Sequence, residues 1–479
     1  MAKQSISKAI NDLRDTIVGK VPLPNDQVDQ ITLALLYKFM DDMDQASIFM
    51  GGVATFFSGE YEKYSWKKIM SQSIGAQTRY NLYAEGLEKF FSNSALPETF
   101  RSIFKNATIP YRDADTLTNF LKIIDENFDY NEDSEQLGDA YELLLNILGS
   151  SGDLGMFRTP RHIIDFIVSL VEPEKDDRIL DPACGTAGFL ISAYKYILSK
   201  NEDKEGKSTL TYEEQKQILE NINGYDIAPS MVKISEMNLF LHGASEPQIF
   251  EYDTLTSDDR WGDKYECILA NPPFMTPKGG IVPHNKFSVK SSKSEILFVD
   301  YIANHLTSQG KAGIIVPDGV TFKVEKAFGN VRKDLIDNSL WAVVSLPSGI
   351  FQPYAGVSTS ILLLDKKIAR DKNEILFVDL TNDGFSLNAQ RKPVKGSEIP
   401  ELTNIILDYK NGKSVEDNRV LLISKEEISQ NNWDLSMNRY RKVKKEEVEY
   451  EDPNVIFEQI RENEKKYLEL LNEIEEYLK

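Results

Sequence analysis

Five short apolar runs constrain this chain more than anything else in it. They are Arg178-Ile179-Leu180, Tyr265-Glu266-Cys267-Ile268-Leu269-Ala270, Ala312-Gly313-Ile314-Ile315-Val316, Ala342-Val343-Val344-Ser345-Leu346 and Ile361-Leu362-Leu363-Leu364. Each is too short for a helix and lacks the alternation of a half-buried strand, so each reads as a strand covered on both faces. Helical stretches lie between them. Strands and helices interleaved in this way predict a mainly parallel α/β sheet after the flexible break Gly149-Ser150-Ser151-Gly152-Asp153.

One run ends in a turn suited to chemistry. Asn271-Pro272-Pro273-Phe274 directly follows Cys267-Ile268-Leu269-Ala270, so a buried strand delivers an Asn and an aromatic ring to the carboxyl edge of the sheet, where α/β proteins bind ligands. Two prolines stiffen the turn and remove two backbone donors. The Asn271 amide oxygen and a fixed carbonyl can then both accept from one exocyclic amino group. Phe274 can stack on a planar base, an interaction worth roughly 1–3 kcal/mol.

Three acids precede this turn at successive strand ends. Asp181 opens the loop Asp181-Pro182-Ala183-Cys184-Gly185-Thr186-Ala187-Gly188, which runs into a helical stretch whose free N–H groups favour a carboxylate. Asp226 ends the next strand, where a carboxylate can accept both hydroxyls of a ribose. Asp253 closes the following segment, placed to meet an adenine amino group. Each acid alone could be a turn or helix cap. The ordered set, followed by Asn271, points to a site.

Composition removes several alternatives. Two cysteines, Cys184 and Cys267, allow neither a disulfide framework nor a cysteine-rich zinc site, and four histidines form no HExxH pattern, so no metal is expected. Gly206-Lys207-Ser208 resembles the tail of a phosphate-binding loop, but Asn201 stands where that loop needs glycine. No run reaches membrane-spanning length and the first residues lack a signal-peptide core, which predicts a cytoplasmic protein. The formal net charge of -20 argues against the chain wrapping nucleic acid unaided, because such affinity comes from lysines and arginines displacing counterions.

The order and identity of these motifs resemble the S-adenosylmethionine-dependent amino-methyltransferases of DNA, and more narrowly the methylation (modification) subunit of type I restriction-modification systems. The similarity takes in Leu33-Ala34-Leu35-Leu36-Tyr37-Lys38-Phe39, Gly138-Asp139-Ala140-Tyr141-Glu142, Gly155-Met156-Phe157-Arg158-Thr159-Pro160-Arg161, Val316-Pro317-Asp318-Gly319, Gly349-Ile350-Phe351 and Trp433-Asp434-Leu435-Ser436. It implies a Rossmann-like methyltransferase sheet over residues 151–400, a helical N-terminal domain over 1–150 and a mainly helical C-terminal region over 401–479 that contacts other subunits. In the N-terminal part Ile31, Leu35, Phe39 and Met43 give a helical stripe, and Ala140 to Leu148 suggests another helix. In the tail Ile460, Tyr467 and Ile474 recur every seven residues.

The resemblance also implies roles. Met156, Phe157, Thr159, Pro160 and Arg161 would lie over the methionine part of S-adenosylmethionine, with Thr159 at its polar end. Asp181, Gly185, Thr186, Ala187 and Gly188 would floor that site, Asp226 would hold the ribose and Asp253 the adenine. Ala187 stands where many relatives have glycine. Asn271, Pro272, Pro273 and Phe274 would hold a flipped-out adenine of double-stranded DNA for N6 methylation. Implied partners are a separate DNA-specificity subunit, a second copy of the chain and a restriction or translocase subunit. A methyltransferase of protein glutamine or RNA, and a non-catalytic binding subunit with this fold, are the alternatives. Carbon-5 cytosine methylation would need a nucleophilic cysteine, and neither cysteine is placed for it.

Overall fold

The computed structural model describes residues 6–49, 51–93, 96, 101, 103–128, 142, 159–244, 246–274, 276–352, 357–388, 391–441 and 453–478. The helix expected from Ala140 to Leu148 and the boundary expected near residue 150 lie outside the described residues. Contacts divide the chain into a unit from Met1 to Arg439 and a unit from Tyr440 to Lys479.

The larger unit is organised on nine strands. They are β1 (Ile179–Asp181), β2 (Ile222–Asp226), β3 (Gln248–Glu251), β4 (Tyr265–Ala270), β5 (Leu306–Pro317), β6 (Leu340–Ser345), β7 (Thr359–Asp365), β8 (Glu374–Asp379) and β9 (Val420–Ser424). Their order across the sheet is β3-β2-β1-β4-β5-β7-β6-β8-β9. The first five run parallel, β7 runs against both β5 and β6, and β9 runs against β8. All five runs singled out above map to strands, with Arg178 and Leu346 one residue outside theirs. Ile361-Leu362-Leu363-Leu364 lies in the antiparallel β7, because an apolar run buried on both faces carries no information about its direction.

The sheet extends beyond residue 400. β9 pairs with β8 over five residues, and Tyr409 on the helix Ile399–Lys410 donates its hydroxyl to the Glu374 carbonyl. The region expected to be mainly helical after residue 400 thus also supplies the outermost strand. On one face the helix Arg161–Val171 lies against β5, at Gly313. A Cβ there would come within 2.4 Å of Ile167 and 2.9 Å of Val171. Lys410 donates to the Leu170 carbonyl and pairs with Glu172, closing the open end of that helix.

The N-terminal helices have their own apolar core, built from Ile10, Leu13, Leu35, Tyr37, Phe39, Tyr83, Phe90, Phe104 and Phe120, among others. The stripe Ile31–Met43 lies in the helix Pro24–Phe49. Met237, Phe240 and Leu241 of the helix Pro229–Leu241 join this core, with Phe240 edge-on to Phe39 at 5.1 Å. The same helix packs its other side on β2 and β3, so it is shared between the helical layer and the sheet. In the smaller unit the helix Pro453–Tyr477 exposes Phe457, Ile460, Tyr467, Leu471 and Ile474. Among the described residues no helix is long and apolar enough to cross a membrane.

Candidate active site

The chain leaves β1 towards β2 and β3 on one side, then crosses to β4 on the other, so the ends of β1 and β4 flank a topological switch point. Register places Asp181 beside Gly224, and Leu180 beside Ile268. Asp181, Asp226 and Asn271 therefore reach the same edge of the sheet, and Asp253 follows the end of β3 by two residues.

The loop after β1 is fixed mainly by its backbone. The Cys184 amide donates to the Tyr225 carbonyl at 2.9 Å, and the Gly185 amide to Asp226 Oδ2 at 3.1 Å. The Gly185 carbonyl accepts from Ser235 at 2.5 Å, the Thr186 carbonyl from Asn238 at 2.8 Å and the Pro182 carbonyl from Thr254 at 2.7 Å. Gly185 has φ +53° and Ala187 has φ +64°. The left-handed conformation at Ala187 is why glycine suits that position, and Ala is the smallest side chain that can replace it. The helix Gly188–Lys200 starts there with no side-chain cap, leaving its first amides available to an anion. At Gly224 a Cβ would approach Ile249 to 2.6 Å and Cys184 Sγ to 3.0 Å, which keeps β2 close beneath the loop.

The acids differ in their surroundings. Asp181 is 2% exposed; burial pushes its carboxyl up to about 8, against the Ala183 amide that donates to it, with the neighbouring Asp226 charge adding to the rise. Burial also raises Asp226, opposed by amides of Ala228 and Gly185. Asp253 spends both oxygens locally, on the amides of Leu255 and Thr256 and on the Thr256 hydroxyl. Both thiols are buried, and that burial holds the Cys184 and Cys267 protons well above the ordinary range, so neither is a thiolate nucleophile. No cluster of metal-ligating side chains occurs among the described residues.

At the end of β4 the Asn271 amide nitrogen donates to Thr159 Oγ1 at 2.7 Å. Its oxygen, Oδ1, is buried and has no partner among the described residues. A buried acceptor left unmatched costs on the order of 1–3 kcal/mol, so the site is shaped for a donor that arrives from outside. Thr159, expected over the polar end of a cofactor, accepts from the Asn271 amide through Oγ1. Phe274 is partly buried and meets the buried Phe351 edge to face, with ring centroids 5.7 Å apart.

The other expected residues are placed as follows. Pro160 precedes the helix Arg161–Val171, and the Arg161 guanidinium is engaged by Asp165 at 3.0 Å and Glu142 at 2.6 Å. Met156 and Phe157 lie outside the described residues. Four further residues, with no site role assigned from the sequence, make contacts in this region. Phe351 follows the turn Pro347-Ser348-Gly349 after β6, the same strand-then-proline signal that marks Asn271. His162 and Asp383 meet at 2.8 Å, and Arg391 also pairs with Asp383. Burial works to raise Asp383, but the donors from His162 and Arg391 win and hold it below the usual carboxylate range.

The sequence matches the N-6 DNA Methylase family over residues 132–449. It is 29% identical over 423 residues to the methylase subunit of the type I restriction enzyme EcoEI of Escherichia coli, covering 82% of each chain. To the methylase subunit of EcoKI of Escherichia coli strain K12 it is 29% identical over 326 residues, covering 65% of this chain and 60% of that protein. Among solved structures, the modification subunit of a type I restriction enzyme from Vibrio vulnificus YJ016 superposes with a TM-score of 0.70 at 22% identity, over 88% of this chain and 92% of that one. A chain from a type I restriction-modification assembly superposes with a TM-score of 0.72 at 24% identity, over 100% and 99%. At such identities the structures speak for the fold. The family match spans most of the chain and contains every strand of the sheet together with the Asn271 turn, and the chain belongs to the N-6 DNA methylase family.

Proposed function

We propose that the chain methylates N6 of adenine in double-stranded DNA, with S-adenosylmethionine as methyl donor, as the modification subunit of a type I restriction-modification complex. The observation that carries this reading is the buried, unpartnered Oδ1 of Asn271 beside a rigid Pro-Pro turn.

The donor would supply a methyl group on a sulfonium sulfur. Its fit rests on the left-handed turn at Gly185 and Ala187, the uncapped helix start at Gly188, the buried Asp181 and the half-buried Asp226. In this reading the amides at Gly188 face a carboxylate, Asp226 accepts from ribose hydroxyls and Asp253 serves the adenine end, where it gives up part of its local bonding. Thr159, Pro160 and Arg161 close the methionine side by holding Asn271 and starting the helix over it.

The adenine N6 lone pair is delocalised into the ring and is a poor nucleophile. Asn271 Oδ1 accepts one of its hydrogens and the Pro272 carbonyl the other, which favours a tetrahedral nitrogen whose lone pair is free to attack. The base must leave the helix to reach Asn271, at a cost of a few kcal/mol. Stacking on Phe274, which Phe351 braces, offsets part of that cost. No covalent enzyme intermediate is required.

A separate specificity subunit would read the DNA sequence, and a second copy of this chain and a restriction or translocase subunit would complete the assembly. The N-terminal helical region and the C-terminal helix, with its exposed Ile460, Tyr467 and Ile474, are the contact elements in this scheme. In this reading the protein works on DNA in the cytoplasm. The test is to purify the chain with the subunits that accompany it, supply labelled methyl donor and duplex DNA, and identify the modified base. N6-methyladenine is expected; label on cytosine, RNA or protein would refute the reading.

A further inference from the structure

The chain carries an acidic residue about once in six positions, yet none from Asn271 to Ser294 and none from Gly384 to Ser397. The first segment holds Lys278, Lys286, Lys290 and Lys293, and the second holds Arg391, Lys392 and Lys395. In a chain of net charge -20, two acid-free basic segments are local reversals of the field.

Both border the Asn271 turn. The first continues directly from Phe274, is tied back by the Thr276 hydroxyl to Ser294 and Glu295, and packs Ile281 and Phe287 in a cluster with Leu255 and with Ala183 of the loop after β1. The second is held to the helix that follows Thr159 by Asp383 and His162, whose ring stacks on Phe385 at 4.4 Å. It also lies against Gly349, where a Cβ would come within 2.9 Å of the Leu387 carbonyl. Gly349 is two residues from Phe351, which touches Phe274. Both segments therefore pack against residues that build the site.

Not all of these cations are available. Lys286 is bridged to Asp258 at 2.8 Å and Arg391 to Asp383. Lys278, Lys290, Lys293, Lys392 and Lys395 are exposed and have no ion-pair partner among the described residues. Unpaired, exposed lysines on acid-free segments suit a polyanion, and because those segments join the Asn271 turn and the Phe274–Phe351 contact, the phosphates flanking a turned-out base are the polyanion within reach.

We propose that these five lysines form a phosphate-binding rim that holds the DNA backbone on either side of the extruded adenine. The inference rests on the DNA-methylating function proposed above. A partner that reads the sequence then supplies register, while this chain supplies the local grip at the reacting base.

The test measures the salt dependence of binding to duplex DNA by the full chain with its accompanying subunits. Each phosphate contact contributes about 0.9 to the slope of log affinity against log salt. Changing Lys278, Lys290 and Lys293 together to Gln should reduce the slope by about 2–3 and weaken DNA binding at least tenfold in moderate salt, with methyl-donor affinity, read by calorimetry, retained. Lys392→Gln with Lys395→Gln should reduce it by about 1–2, and Lys286→Gln, already paired, by well under 1. Equal slopes for the unaltered and triple-variant complexes, or an equal loss from Lys286→Gln, would overturn the rim while leaving the methylation reading intact. An unaltered complex that methylates no DNA would instead remove that reading, and the rim with it.

Discussion

The Asn271 amide nitrogen and the Thr159 hydroxyl meet at 2.7 Å across 112 residues of sequence. That bond orients the amide, because once the nitrogen is committed to Thr159 the oxygen is the atom presented elsewhere. Thr159→Val should lower kcat roughly tenfold to a hundredfold, consistent with about 1.4–2.7 kcal/mol of lost positioning, and Thr159→Ser should restore most of it. Steady-state transfer of a labelled methyl group checks this. A variant that loses methyl-donor affinity and keeps kcat would return Thr159 to the cofactor.

Asn271 and Asp226 should separate by function. Asn271→Ala removes an acceptor for the target nitrogen and should cost at least about a hundredfold in kcat with donor binding retained. Asp226→Ala removes both the expected ribose acceptor and the partner of the Gly185 and Ala228 amides, so it should weaken donor binding. Calorimetry on the two variants decides, since equal loss of binding in both contradicts the assignment.

Phe274 should act on the DNA side. Phe274→Ala removes a ring worth roughly 1–3 kcal/mol of stacking and should raise the KM for DNA about fivefold to a hundredfold, while Phe274→Tyr keeps the ring and most of the affinity. An abasic nucleotide opposite the target adenine, in place of its thymine, eases extrusion and should not rescue the variant if stacking is the missing element.

The buried Asp181 predicts a pH dependence of stability. Its carboxyl titrates near 3.8 when unfolded and about 8 when folded, so the folded state favours the protonated form. The stability this group contributes is complete below about pH 4 and is lost as pH rises towards 8. Asp181→Asn, which keeps an acceptor for the Ala183 amide, should therefore gain stability over the unaltered chain, by a few kcal/mol more at pH 8 than at pH 5. Denaturant unfolding at the two pH values measures it, and an equal difference at both would mean that Asp181 is ionised in the folded protein.

The local code already contained five of the buried strands, a helix over Ile31 to Met43, the acids at the ends of β1 and β2 and the Asn271 turn, because burial on two faces, helical spacing and proline each leave a signature within a few residues; that the helix is buried nearly all round, charged residues included, is left to packing. Direction and pairing leave none. The run Ile361–Leu364 could not announce that it enters between β5 and β6 against both, nor could the residues around Val420 announce that they extend the sheet past residue 400. The Asn271–Thr159 bond, the Phe274–Phe351 contact and the His162–Asp383 pair, spanning 221 residues, join segments whose adjacency depends on the order of the nine strands. Sequence alone specified which residues reach the edge of the sheet; only the tertiary structure decided that Thr159 occupies the amide nitrogen of Asn271, and so which atom of that side chain is left to accept a proton donor.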